Sequence, residues 1–138
     1  TTGALLDGED FNGWLALFDE HSEYEITAHS TEIRQQMSWW KSDRMSLEKI
    51  LKEIPRHVRD PGRRLHIVTP TLVEVSGDSA RAVSSFAVFR TTPDGESRVY
   101  AVGHYEDNLV KKAERWLYVT HKVVLQTRLL EAPTHVPI

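Results

Sequence analysis

The stretch Arg98-Val-Tyr-Ala-Val-Gly-His-Tyr-Glu-Asp-Asn-Leu-Val-Lys-Lys-Ala-Glu-Arg-Trp-Leu-Tyr-Val-Thr-His-Lys-Val-Val-Leu125 reads as one long antiparallel hairpin. Two runs rich in Val, Tyr, Trp and Thr flank a charged Lys111-Lys112-Ala113-Glu114 connection, the composition of two strands and a turn. A turn centred between Lys112 and Ala113 sets Val110 opposite Arg115, Val102 opposite Val123 and His104 opposite His121. In that register His104, Glu106, Tyr100 and His121 share one face. Tyr105, Asp107, Tyr118 and Lys122 share the other, since side chains alternate along a strand.

Outward from the hairpin, the segment from Leu65 to Arg90 has the same character. Leu65 to Val75 alternates, with Pro70 marking an edge position or a bulge. Ser76-Gly77-Asp78 is a hairpin turn and Ala80 to Arg90 a strand, and Pro93-Asp94-Gly95 turns the chain into the long hairpin. Before the strands, Leu47, Ile50, Leu51 and Ile54 form a helical stripe that Ser42 or Asp43 can cap and Pro55 should end. The basic stretch Arg56 to Arg64 follows as a loop. Phe11, Trp14, Leu15 and Phe18 lie at helical spacing behind Leu5 and Leu6, with a weak point at Gly13. Tyr24, Ile26 and Ala28 alternate as a short strand over about 23–29. Ser30 to Lys41 reads as a polar connection holding Trp39 and Trp40. Adjacent tryptophans cannot share a face of a regular element, so one of them is expected to pack outside the local core. The order is helix, short strand, long loop, helix and four long antiparallel strands. It predicts a single α+β domain over 1–138 with a curved antiparallel sheet wrapped around helices, a cone-shaped α+β barrel.

Composition limits the chemistry. The 138 residues include no cysteine, which removes disulfides, thiolate metal sites and cysteine nucleophiles together. A formal charge of -3 without a Lys/Arg stripe argues against nucleic acid, and no apolar run reaches the length of a membrane helix. A cytoplasmic protein is expected. Neither a phosphate-cradling glycine loop nor a Ser/His/Asp pattern is present.

Several spaced segments resemble a known family. They are Phe11-Asn-Gly-Trp-Leu-Ala-Leu-Phe with Tyr24 after it, Ser42-Asp-Arg-Met-Ser-Leu, Arg64-Leu-His, Ala82-Val-Ser-Ser-Phe, Gly103-His-Tyr-Glu-Asp-Asn-Leu, and Trp116 ahead of Lys122-Val-Val-Leu. In this order they resemble the small (beta) subunit of aromatic-ring-hydroxylating, Rieske non-haem iron dioxygenases, which has the ketosteroid-isomerase-like cone fold. The resemblance implies a structural, non-catalytic subunit with no cofactor or metal of its own. The Rieske [2Fe-2S] cluster and mononuclear iron would lie on a partner large (alpha) subunit, in an alpha3beta3 assembly that also joins copies of this chain. The missing cysteines agree with that division, because a Rieske centre needs two.

On that reading the subunit-contact candidates are Trp39, Trp40, Arg64, His66, Tyr105, Asp107, Tyr118, Lys122, His135 and Ile138, with the apolar tail, about 127–138, docked on a partner. Two alternatives compete. One is a free-standing cone-fold isomerase or dehydratase using His104 and His121, with Tyr100, Glu106 or Tyr24 as helpers. The other is a binding module for a small apolar ligand. No third partner for the two histidines is fixed by spacing, so they are read as hydrogen-bonded packing residues.

Overall fold

The computed structural model describes residues 1–30, 35–53, 60–127 and 137–138. Its elements run α1 (Thr2–Asp7), α2 (Phe11–Leu15), β1 (Phe18–Ser30), β2 (Gln35–Asp43), α3 (Arg44–Glu53), β3 (Arg63–Ser76), β4 (Ser79–Thr91), β5 (Ser97–Lys112) and β6 (Arg115–Leu125). The six strands form one sheet in the order β2-β1-β6-β5-β4-β3. All neighbours are antiparallel except β1 and β6, which run parallel. The α+β class and the sheet-over-helices plan are as the sequence predicts.

Four local expectations are corrected. The N-terminal helix is two short ones, because Glu9 takes a left-handed φ of 55° and Asp10 starts a new helix by accepting a hydrogen bond from Gly13 N at 2.9 Å. That capping also explains Gly13: a Cβ there would collide with the Asp10 carboxylate. The run from Phe18 is strand, not helix, so β1 is twice the predicted length. The polar connection after it is largely β2, paired antiparallel with β1. At β3, strand begins at Arg63, inside the stretch assigned to a loop. The helical end at Ile54 and Pro55, with Arg56 and Arg59, lies outside the described residues.

Other signals hold. Asp43 caps α3 by accepting from Ser46 N at 2.7 Å, and Leu47 and Leu51 of its stripe are buried. Pro70 sits on the edge strand next to a bulge, where pairing shifts between Pro70 and Leu72. Gly77 and Gly95 both have positive φ in their turns, which a glycine adopts without a Cβ clash.

The long hairpin forms, but in another register. Its turn is Ala113-Glu114, with φ of 49° and 62°, the two-residue left-handed geometry that matches strand twist. Lys112 therefore faces Arg115, and a bulge after Asn108 shifts the rest, so Asp107 faces His121 and His104 faces Val124. His121 thus shares a face with Asp107, Tyr105 and Gly103, and His104 looks the other way.

The core is aromatic and sits in the concavity. Trp14 packs edge-on against Phe18 and Tyr24, with centroids 4.8 and 5.3 Å away, and its Nε1 donates to Thr2 Oγ1 at 2.7 Å. Leu6, Ile26, Leu47, Phe86, Val88 and Val123 are among the residues packed in the same cluster. Edge-to-face rings gain attraction beyond the area they bury.

At the mouth near β3, Arg90 makes a two-pronged pair with Asp60 through Nε (2.7 Å) and Nη2, and Asp60 also accepts from Gly62 N at 3.0 Å. The guanidinium contact holds the Asp60 carboxyl at about 2, below its ordinary value of 3.8. A carboxyl whose folded pKa is depressed stabilises above its unfolded pKa and loses that contribution as pH falls through the folded one. Stability should therefore drop by roughly 2 kcal/mol between about pH 4 and pH 2 from this group. Urea titrations of Asp60→Asn across that window should show a correspondingly flatter decline than the parent protein.

Candidate functional site

Two His–Asp pairs lie inside the cone. On β6, His121 Nδ1 stands 2.5 Å from Asp107 Oδ1 on β5, and both side chains are buried. Pairing of His121 with Asp107 across two strands, not with His104, follows from the bulge after Asn108. The imidazole stacks on Tyr118 (4.4 Å) and Tyr24 (5.7 Å) and meets Tyr105 and Phe18 at 4.9 and 5.9 Å. On β3, His66 Nδ1 is 2.6 Å from Asp7 Oδ1, and Asp7 Oδ2 accepts from the His66 backbone N at 2.8 Å. That double contact ties α1 to β3. Burial pulls the His66 pKa down against the raising effect of Asp7, because desolvation disfavours the charged ring. Burial likewise raises the phenols of Tyr24, Tyr105 and Tyr118 far above their usual range, so all three stay protonated.

The predicted site residues fall into three groups. Tyr105, Asp107, Tyr118, His66 and Ile138, expected as subunit contacts, are placed inside the protein: Tyr105 and Ile138 are only 1% exposed, and the His66 side chain is equally enclosed. The inverted face assignment for Tyr105, Asp107 and Tyr118 is a direct result of the register error. Ile138 is docked as the tail was expected to be, but on its own chain. The Tyr24 hydroxyl accepts from Ile138 N at 2.9 Å and donates to Ile138 O at 3.1 Å. His135 and most of the tail lie outside the described residues.

Arg64 and Tyr100 meet each other at the mouth. The guanidinium lies 4.3 Å over the Tyr100 ring and Nη2 donates to its hydroxyl at 3.1 Å. The tryptophans split as adjacency requires. Trp40 turns inward, 5.6 Å from Tyr24, with Nε1 donating to Ser42 Oγ at 2.9 Å, while Trp39 is 41% exposed.

Lys122 and His104 remain on the outer face of the sheet. His104 Nε2 pairs with Glu106 Oε1 at 3.1 Å, and the pair is partly solvated. The alternative catalytic pair is therefore not assembled, since His104 and His121 are on opposite sides of the sheet. His104→Ala should change stability by less than ~1 kcal/mol, because the half-buried ring has only the partly solvated Glu106 as its partner; urea midpoints of the two proteins would check this.

Among the described residues, no group of three or more His, Asp or Glu side chains could hold a metal ion, and no helix is long and apolar enough to cross a membrane. The interior polar atoms without a hydrogen-bond partner in the described structure include His66 Nε2, His121 Nε2 and the Tyr105 hydroxyl. Sequence reasoning missed the Asp107–His121 and Asp7–His66 pairs. The first was hidden by the bulge. The second joins residues far apart in the chain, and no local spacing signals it.

On the outer face, Glu23, Glu25, Glu106, Asn108, Thr120 and Lys122 line an open cleft of about 160 Å³, which His121, its side chain turned inward, borders from between Thr120 and Lys122. Asn108 Nδ2 donates to Thr120 Oγ1 across it at 2.8 Å, and Glu23 is 3.5 Å from Lys41.

The chain belongs to the SnoaL-like domain family, whose model matches residues 1–121. Within it, the chain is 30% identical over 139 aligned residues to the beta subunit of 2-aminobenzenesulfonate 2,3-dioxygenase of Alcaligenes sp, covering 100% of this chain and 93% of that protein. It is 32% identical to the hydroxylase beta subunit of methanesulfonate monooxygenase of Methylosulfonomonas methylovora, covering 97% and 80%. The chain is thus a member of the oxygenase beta-subunit family. In fold it is similar to a beta subunit assigned to an aromatic-ring-hydroxylating dioxygenase of Novosphingobium aromaticivorans, with a TM-score of 0.85 at 23% identity over 99% of this chain and 90% of that one.

Proposed function

We propose that this protein is the non-catalytic small subunit of a multicomponent, ring-hydroxylating type of dioxygenase that oxidises an aromatic compound. The observation that carries this reading is the end-to-end likeness to a dioxygenase beta subunit, at 30% identity over the whole chain. The interior supports it. Tyr24, Tyr118 and Phe18 pack around the His121 ring, and Ile138 is held against Tyr24. Those contacts suit a cone that serves as a rigid body.

In this reading the Rieske cluster and the mononuclear iron are on the large subunit, three large and three small subunits assemble, and the complex is cytoplasmic. The substrate is chosen where the iron is. Both curated relatives belong to enzymes named for sulfonates, so an aromatic sulfonate is the first substrate to test.

The decisive experiment is co-expression with a Rieske-type large subunit from the same genome. The expected result is a single complex near three-to-three stoichiometry, with substrate-dependent oxygen uptake that neither subunit shows alone. A chain that stays apart from every such large subunit, and turns over a substrate by itself, would overturn the reading.

A further inference from the structure

Helix α1 does not hold itself together. Its six residues fall below the length at which a helix is stable alone, and Thr1 gives its N-terminus no side-chain cap. Its anchors are tertiary. Leu6 is buried in the core, Thr2 accepts from Trp14 Nε1, and Asp7 reaches β3 with both carboxylate oxygens. Oδ2 accepts from the His66 backbone N at 2.8 Å, and Oδ1 lies 2.6 Å from His66 Nδ1. A carboxylate at a helix C-terminus works against the dipole, so Asp7 serves the contact with β3 rather than α1 itself. The helix also rests directly on this histidine: a Cβ on Gly3 would come within 2.7 Å of the His66 Cβ.

The acceptor fixes the chemistry of the pair. A carboxylate only accepts, so in the neutral ring Nδ1 carries the proton and Nε2 is bare. Nε2 is buried and has no hydrogen-bond partner among the described residues. Acid must place its proton on that atom. The ring then becomes a buried cation with a donor that nothing accepts, and both are costly away from water. Two charges act on the ring: Asp7 of α1 favours the proton, and Arg64, on β3 itself, opposes it. The other elements add none. On β4 the residue opposite is Val88, Arg90 farther along is engaged by Asp60, and Tyr105 of β5, within the field of Asp7, stays an uncharged phenol. Burial outweighs Asp7, and the His66 pKa lies below its ordinary 6.5.

We infer that the Asp7–His66 pair is an acid-released latch, closed while the ring is neutral and opened when the ring is charged, whose opening lifts α1 off the inner wall of β3. A histidine with a depressed folded pKa stabilises the closed form above the ordinary value and loses that contribution as pH falls below it. Release is local, because the strand ladders run from β2 to β3 without passing through α1. The second pair is built alike but latches nothing: His121 and Asp107 join β6 to β5, which are already paired along their length.

The test is hydrogen exchange on the intact chain, read amide by amide and corrected for the intrinsic effect of pH. The His66 amide, bonded to Asp7, and the Gly8 amide, bonded to Ala4 O, report the latch. Amides of Tyr105 and Val123 in the β5–β6 ladder report the whole fold. Between about pH 7.5 and pH 5 the latch amides should open roughly fivefold more often or better, with a ceiling near thirtyfold set by an ordinary histidine pKa. The ladder amides should lag behind them. His66→Asn keeps a donor nitrogen near the Nδ1 position and does not titrate, so it should flatten the latch profile. A flat profile in the parent overturns the inference, as does a rise that the ladder amides match, since the change is then global. A rise that survives in His66→Asn shows that the proton lands elsewhere and also overturns it. Should that variant not fold, the His66 ring titration followed by NMR in the parent decides: a midpoint below the ordinary 6.5 supports the latch, and one at or above it refutes it.

Discussion

Asp107→Ala should lower the free energy of unfolding by about 3 kcal/mol, the cost of stripping one partner from a buried polar pair. The carboxylate stands 2.5 Å from His121 Nδ1, whose ring is walled by Tyr105, Tyr118, Tyr24 and Phe18. Water cannot take its place without dismantling that aromatic box. Asp107→Asn retains an acceptor oxygen and should cost less. Replacing both members by apolar residues should cost less than Asp107→Ala alone, because no unpaired polar group is then left inside. Urea unfolding with an unchanged m value would measure all three. A loss below 1 kcal/mol for Asp107→Ala would show that the pair is solvated and is not part of the core.

Gly103→Ala should be as damaging, at roughly 3 kcal/mol, the upper end of overpacking costs, with a melting temperature lower by about 10 °C. Gly103 lies on the inner wall of β5, between Phe86 of β4 and Leu125 of β6. A Cβ built there overlaps the Val124 carbonyl oxygen and comes within 3.1 Å of the Leu125 Cα. Backbone, unlike a flexible side chain, cannot step aside, so β6 would have to move off β5. The same change at Gly77 or Gly95 meets no atom within 4 Å, and only the positive φ of those turns resists it. Thermal melts of the three variants should therefore rank Gly103→Ala well below the other two.

The contrast between what the residues reveal and what they conceal is sharpest in the long hairpin. Its existence was legible from β-branched and aromatic composition, as were the β3–β4 hairpin from Gly77 and the cap of α3 from Asp43. Its register was not. Lys-Lys-Ala-Glu lacks a glycine or asparagine to fix the turn, and the two left-handed residues proved to be Ala113 and Glu114. A displaced turn and an unsignalled bulge moved His121 from His104 to Asp107. Because pairing parity decides which face a residue occupies, that shift turned three expected surface residues inward. β2 was missed for another reason. Its sequence, Gln35-Gln-Met-Ser-Trp-Trp-Lys-Ser-Asp43, belongs to an edge strand with one covered face, where tertiary pairing outweighs a weak local preference. The two His–Asp pairs depend on contacts across the fold and leave no trace in spacing.

The parallel contact of β1 with β6 has a bearing on how the molecule is made. Strands β3 to β6 are joined by short turns, so each can pair with its predecessor as soon as it leaves the ribosome. β1 and β2, although synthesised earlier, have no sheet to join until residues 120–125 emerge to pair with Glu23–Ala28. The N-terminal third thus waits through most of translation with Trp14, Phe18 and Tyr24 unburied. Closing such a long loop is the slow step expected of high contact order, and exposed aromatic surface in the interval favours association with other chains. A chain assembled in this order closes its aromatic core only after β6 has been made.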